Sequence, residues 1–134
     1  MKNDIRNKIN SILATEKKYA FHAYPFIADA VPYTVKSLAK DRHVTALELI
    51  NGVKNFALTT YGPLAPKVLA YWGITQPKDI GKIVYLLISV NILSASPDDD
   101  PNDFNIEGEL FTKVKSNYQI REEFIIQIDK KDNF

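Results

Sequence analysis

Residues 44–91 decide the fold and read VTALELINGVKNFALTTYGPLAPKVLAYWGITQPKDIGKIVYLLISVN. Thr45 and Glu48 have the T-x-x-E spacing of a capping box, which predicts that a helix begins at Ala46. Gly62 can take the left-handed conformation that follows the last turn of a helix. Both ends of this first helix are therefore encoded locally.

Two more helices follow with comparable signals. The first passes through Trp72 and ends at Gly73. Thr75 is predicted to cap the second, which covers residues 77–90 and is the most hydrophobic helix of the chain. Asn91 suits a left-handed residue at its end.

The residues before position 44 also have helical periodicity. Ile9 and Ile12 belong to an apolar face that predicts an amphipathic helix over residues 3–15. The apolar segment over residues 26–38 contains Pro32, which removes a helix hydrogen bond, so it forms either one kinked helix or two short ones.

The helical periodicity of the apolar residues weakens after the helix over residues 77–90. Residues 94–105 are rich in proline, aspartate and asparagine, which predicts an exposed loop. The alternation over residues 124–129 favours a strand that pairs with residues 110–114 in a hairpin. Residues 118–125 also fit a helical turn, and the pattern leaves both open.

Together these elements predict a mainly α fold, a bundle of four to five short helices with a C-terminal β-hairpin. The element order matches that of a winged-helix domain, although many small helical domains share it. At 134 residues, the chain has the length of a single domain, 1–134. Within it we assign residues 1–19 to an N-terminal helix and linker and residues 112–134 to a C-terminal tail.

Charge and cysteine content exclude several classes of function. The net charge is +1, so no overall charge draws the protein to nucleic acid or to a membrane. Residues 98–111 nevertheless hold six acidic side chains and no basic one. The absence of cysteine excludes disulfides and thiolate chemistry. No signal-peptide run is present near residue 1, so we expect a cytoplasmic protein without a membrane segment.

A distinctive pattern of residues extends over residues 20–111. It comprises Arg42-His43-Val44-Thr45, Glu48-Leu49, Phe56-Ala57, Tyr61-Gly62-Pro63-Leu64-Ala65, Val68-Leu69, Trp72-Gly73-Ile74-Thr75, Asp79-Ile80-Gly81 and Ile83-Val84, with Ala23-Tyr24-Pro25-Phe26 upstream and residues 93–104 downstream. This pattern resembles a small family of bacterial proteins found mainly in planctomycetes and verrucomicrobia, to which no function is assigned. The resemblance implies one core module over residues 20–111 and a planctomycete-like source, and it transfers no catalytic or binding residue.

The chain contains no recognised catalytic or phosphate-binding motif, and its only histidines are His22 and His43. His43 lies just before a helix cap. A structural role, in which its side chain ties the loop to the start of the helix, explains this position better than a role as general base with Asp41 or Glu48. We expect His22 to pack.

The acidic loop carries oxygen ligands without a metal-binding motif. Its ligand-type residues are Asp98, Asp99, Asp100, Asn102 and Asp103. Calcium prefers such oxygens, yet the loop lacks the glycine and glutamate of an EF-hand. We therefore expect a solvated loop, with neither a metal nor a cofactor.

The helix over residues 77–90 offers a candidate binding face. Lys78, Lys82, Tyr85 and Ser89 recur at i, i+4, i+7 and i+11, opposite the apolar side, and we call them the lysine stripe. Six tyrosines either cap the edge of the core or line an interface. They are Tyr19, Tyr24, Tyr33, Tyr61, Tyr71 and Tyr85.

Three classes of function follow from these residues. The first is a non-catalytic protein-interaction module that binds a protein partner through the lysine stripe. The second is a winged-helix-like DNA-binding regulator in which residues 77–90 enter the major groove. Six carboxylates where a wing would lie argue against it. The third is a small enzyme that uses His43. The only support for this hypothesis is that histidine is a residue type common in catalysis.

Overall fold

A computed structural model of the chain describes residues 2–38, 44–95 and 101–111. This part is mainly helical and contains five α-helices. They are α1 (Lys2–Thr15), α2 (Ala23–Ser37), α3 (Ala46–Tyr61), α4 (Ala65–Tyr71) and α5 (Pro77–Ser89). Two short 3-10 turns, Gly62–Leu64 and Pro101–Phe104, precede α4 and follow α5. No β-strand occurs in the described ranges, and the predicted hairpin lies almost entirely outside them.

The predicted start of α3 is confirmed in detail. The Thr45 hydroxyl accepts a hydrogen bond from the Glu48 amide at 3.2 Å, and the Glu48 carboxylate accepts one from the Thr45 amide at 2.9 Å. Each contact satisfies an amide that has no partner within the helix. The local code therefore fixes where α3 begins.

The predicted helix ends are also confirmed. Gly73 follows α4 with φ of 96° and Asn91 follows α5 with φ of 64°. Beyond Gly73 the chain turns back, because the Ile74 amide donates to the Leu69 carbonyl at 2.8 Å, and Ile74 is buried. These turns direct α4 and α5 back onto one core.

The segment around Pro32 forms one helix, because α2 continues from Ala23 to Ser37. Pro32 lies on the exposed side of α2. There the Ala28 carbonyl, which loses its helical donor, can be hydrated instead. Packing of the opposite side of α2 against α3 and α5 holds the helix together across the proline.

The core lies where α2, α3 and α5 meet. α2 packs most extensively against α3, and Thr34 of α2 lies against Gly52 of α3, where a β-carbon would collide with the threonine side chain. α1 joins this core through Ile9 and Ile12, both buried. None of the described helices is both long and apolar enough to span a bilayer.

The described residues of the predicted exposed loop, 94, 95 and 102–105, are exposed apart from Phe104. Residues 96–100 lie outside the described part, but Phe104 is only 6% exposed and packs on Gly81 of α5. Further on, the Leu110 amide donates to the Thr75 carbonyl at 2.8 Å. Residues 101–111 therefore run antiparallel along α5, because the buried side chain of Phe104 and the contact of Leu110 with Thr75 anchor them.

Candidate functional site

The structure places the lysine stripe on the outer side of α5. Lys78, Lys82 and Ser89 are exposed, whereas Tyr85 is half-buried and its ring meets Phe104 edge-on at 6.3 Å between centroids. One member of the stripe is thus partly covered by the acidic segment. Whether the stripe binds a partner stays a prediction.

Carboxylates accompany this face of α5. Asp103, Glu107 and Glu109 are all exposed on the segment that Phe104 and Leu110 anchor along the helix. Their negative charge opposes the approach of a phosphate backbone to this side of α5. The same charge would not repel a neutral or basic protein surface.

The residues of the enzyme hypothesis are not brought together in the described part of the chain. His43 and Asp41 lie outside it, and the Glu48 carboxylate takes part in the α3 capping box. Of the predicted acidic ligands, Asp98 to Asp100 also lie outside. No group of three metal-ligating side chains forms within the described ranges.

A buried carboxylate that the sequence did not single out organises the start of α5. Asp79 is fully buried and accepts hydrogen bonds from the Tyr19 hydroxyl at 2.7 Å and from the Lys18 ammonium at 2.9 Å. Its other oxygen accepts from the Thr75 amide at 3.0 Å and the Gln76 amide at 2.9 Å. Four residues, up to 61 positions from Asp79 in the sequence, thus donate to its carboxylate.

This cluster corrects the predicted cap of α5. Gln76, not Thr75, is the N-cap residue, and the Asp79 side chain satisfies the amides of both. Burial raises the pKa of Asp79, but the hydrogen bonds from Tyr19, Thr75, Lys18 and Gln76 outweigh it and lower the pKa to about 2. Because its oxygens are occupied, Asp79 fastens the linker before α2 to α5 and is not a free acid or base.

The predicted tyrosines divide into four environments. Tyr19 and Tyr24 are buried in the core, and Tyr85 packs against Phe104. Tyr71 is 86% exposed. Only Tyr33 and Tyr61 are half-buried beside other aromatic rings of the surface.

Those two tyrosines belong to a continuous aromatic row across α2, α3 and the end of α4. The row consists of Phe21, His22, Phe26, Tyr33, Phe56, Tyr61 and Trp72. Centroids of successive rings are 4.9 Å apart for Tyr33 and Phe56, 5.0 Å for Phe56 and Phe26, and 5.4 Å for Phe26 and Trp72. His22 lies 6.4 Å from Trp72 and 5.5 Å from Phe21.

Helical spacing explains how the row forms. His22 directly precedes α2, and Phe26 and Tyr33 follow at i+4 and i+11, which places all three on one side of the helix. The close α2–α3 crossing at Gly52 then brings Phe56 of α3 against both α2 rings. Phe26 is 7% exposed and supports the row from below, while the other six rings keep solvent-exposed area.

The row contains hydrogen-bond donors but few charges. No protein acceptor within the described residues pairs with the Tyr33 hydroxyl, the Tyr61 hydroxyl or the Trp72 indole N–H. Asp29 also lies on this side of α2, between Phe26 and Tyr33, and is exposed. Its carboxylate forms no hydrogen bond or salt bridge with the described part of the chain.

Comparison with known proteins adds no further constraint, since no family model, no curated protein and no solved structure matches this chain. The resemblance to the planctomycete and verrucomicrobial family stays a prediction. The proposals below therefore depend on the geometry of the described residues.

The aromatic row was not predicted, because the tyrosines were identified individually and not together with the phenylalanine, histidine and tryptophan rings beside them. His22 was expected to pack, and its ring does lie against those of Phe21 and Trp72, but it is also exposed at the edge of the row. The spacing of His22, Phe26 and Tyr33 was the available signal. The contribution of α3 and of Trp72 depends on the helix crossing, which no local pattern encodes.

Proposed function

We propose that this protein is a non-catalytic protein-interaction module and that the aromatic row is its main binding surface. The observation that supports this proposal is a contiguous set of partly exposed rings across α2, α3 and the end of α4. Tyrosine and tryptophan are enriched at the centres of protein interfaces, because they bury a large area at little cost in side-chain entropy. Single exposed apolar residues are ordinary on a surface, whereas a contiguous row of this kind is not.

The alternative functions have weaker support. A winged-helix-like, DNA-binding role would require α5 to approach phosphates, and the segment carrying Asp103, Glu107 and Glu109 lies along that helix. An enzymatic role would require a substrate cleft around His43. The lysine stripe stays a second candidate surface for a protein partner.

A quantitative pull-down with matched tyrosine variants tests the proposal. Wild-type protein, Tyr61→Ala and Tyr71→Ala would serve as baits in extracts of the source organism, after circular dichroism and thermal unfolding show that each variant is folded. Tyr61 belongs to the row and Tyr71 is an exposed tyrosine outside it. We expect a partner that wild type and Tyr71→Ala retain and that Tyr61→Ala loses.

Two results would contradict this assignment of the surface. Capture unchanged by Tyr61→Ala and also by Tyr33→Ala would show that the row does not bind the partner. Loss with Tyr85→Ala instead would place the binding surface on the lysine stripe.

A further inference from the structure

The length of the aromatic row suits an extended segment of chain. His22 and Tyr33 are eleven positions apart along α2, which at 1.5 Å per residue corresponds to about 16 Å. A polyproline II helix advances about 3.1 Å per residue, so about five residues would cover this distance. Such a helix keeps its extended shape without a partner and loses little entropy on binding.

The hydrogen-bonding groups of the row select among extended ligands. A proline-rich segment presents carbonyl acceptors and almost no N–H donors, because proline lacks the amide hydrogen. The row offers the complementary groups, since Tyr33, Tyr61 and Trp72 contribute donors that no described residue accepts. Its rings also provide flat surfaces against which proline side chains pack.

Other ligand classes fit less well. A docked helix lays an apolar face into a hydrophobic groove and satisfies its backbone groups internally, so it would leave the donors of Tyr33, Tyr61 and Trp72 without backbone acceptors. Single-stranded nucleic acid needs cations that follow its backbone. On the side of α2 that carries the row, Lys36 is the only cation within the helix, one turn beyond Tyr33.

Charge specifies one more property of the ligand. Asp29 lies between Phe26 and Tyr33 on the same side of α2, exposed and without a cationic partner in the described part of the chain. A lysine or arginine of the ligand would pair with it. Because the carboxylate lies within the row, the basic residue must lie beside the prolines.

Building on the proposed function, we infer that the aromatic row binds a proline-rich segment of a partner protein in the polyproline II conformation, with a basic residue of that segment paired to Asp29. The rings supply the packing surface, and Tyr33, Tyr61 and Trp72 donate to the carbonyls of the ligand. Asp29 sets the direction in which the segment lies.

Trp72 provides a direct reporter, because it is the single tryptophan of the chain and belongs to the row. The protein would be titrated with a blocked peptide of about nine residues in which one arginine is flanked by prolines. A peptide with the same arginine among glycine and serine is the control ligand. We expect a saturable change of Trp72 emission with Kd below about 1 mM for the proline peptide only.

Variants then locate the site. Tyr33→Leu, which keeps an apolar side chain, is expected to weaken binding about tenfold, and Tyr61→Phe, which removes only a donor, about threefold or more. Asp29→Asn should weaken the arginine peptide about two- to fivefold and leave an alanine version of the peptide unaffected. Tyr71→Ala should bind as wild type does.

Three outcomes would overturn the inference: no saturable change up to about 1 mM peptide, equal binding of the glycine-serine control, or binding that Tyr33→Leu and Tyr61→Phe both leave intact. If the peptide fails while row-dependent capture of a protein partner persists, the proline-rich ligand is wrong and the proposed function stands. If both fail, both are wrong.

Discussion

Two buried tyrosines differ in what their hydroxyl groups meet. The Tyr19 hydroxyl donates to Asp79, whereas the buried Tyr24 hydroxyl has no hydrogen-bond partner in the described part of the chain. Burial raises the pKa of Tyr24 to about 12. We therefore expect Tyr19→Phe to lower the free energy of unfolding by about 2 kcal/mol, because a hydrogen bond to a buried charge is lost. Tyr24→Phe should leave stability unchanged or raise it by up to about 1 kcal/mol. Urea unfolding at neutral pH compares the two variants, and equal losses would contradict this difference.

Asp79 gives stability a defined dependence on acid pH. Its pKa is lowered from 3.8 to about 2 in the folded protein, so the fold favours the ionised carboxylate. The corresponding stability is complete above the unfolded value of 3.8 and is lost as pH falls toward 2. It amounts to about 2 kcal/mol at most. Asp79→Asn should lower stability at neutral pH by a similar or larger amount and flatten this part of the pH profile.

Asp29 is the matched control for that experiment. It is an exposed aspartate on α2 without a partner in the described part of the chain. Asp29→Asn should therefore change the free energy of unfolding by less than about 0.5 kcal/mol and leave its pH profile intact. A pH profile of Asp79→Asn identical to that of wild type would show that the acid dependence arises elsewhere.

At the scale of the element, the α2–α3 pair depends on the absence of a side chain at Gly52. A β-carbon there would collide with the Thr34 side chain, so Gly52→Ala should force the helices apart and lower the free energy of unfolding by about 2 kcal/mol. Thr34→Ala removes most of the obstructing atoms. We expect the double variant to be more stable than the sum of the single effects implies, which a double-mutant cycle by urea unfolding measures.

A nearby position on α3 controls for helix propensity. Asn51 is exposed, so Asn51→Ala should leave stability unchanged or raise it slightly, because alanine favours the helix. Additive effects of Gly52→Ala and Thr34→Ala would show that the two residues do not limit the helix approach.

The elements whose ends have a local code could be predicted from the sequence. The Thr45 capping box, the turn at Gly73 and the left-handed Asn91 each involve residues within a few positions of one another, and all are confirmed. The start of α5 was predicted less well. Thr75 was expected to cap it, but Gln76 is the N-cap, and the Asp79 carboxylate that accepts from the Thr75 and Gln76 amides is held by the distant Lys18 and Tyr19.

The candidate site was predictable only in part for the same reason. The positions of His22, Phe26 and Tyr33 follow from the period of a single helix. Their contact with Phe56 depends on how α2 crosses α3, which side-chain volumes at the crossing determine. The anchoring of Phe104 is likewise a tertiary effect, so a polar stretch that reads as a free loop is fastened to α5.

At the scale of the whole molecule, charge is nearly balanced but unevenly distributed. Residues 1–40 carry seven basic and three acidic side chains, whereas residues 98–111 carry six acidic and none basic. The structure places Asp103, Glu107 and Glu109 of that acidic segment along α5, the helix that a DNA-binding role would use. We expect the full chain not to be retained on duplex DNA at about 0.1 M salt, where nonspecific binders have Kd of about 10⁻⁴ to 10⁻⁶ M.

A charge-neutralised variant tests whether the carboxylates are the reason that the protein does not bind DNA. Replacing the three carboxylates (Asp103→Asn, Glu107→Gln and Glu109→Gln) leaves Phe104 and Leu110 in place as anchors. If the carboxylates are what repels phosphates, the variant should acquire weak retention that falls steeply with salt, and a further Lys82→Ala should reduce it. The opposite result would be salt-dependent retention of the unmodified protein that is lost with Lys82→Ala and unaffected by Tyr61→Ala. That result would support α5 as a DNA-binding helix and contradict the aromatic row as the main binding surface.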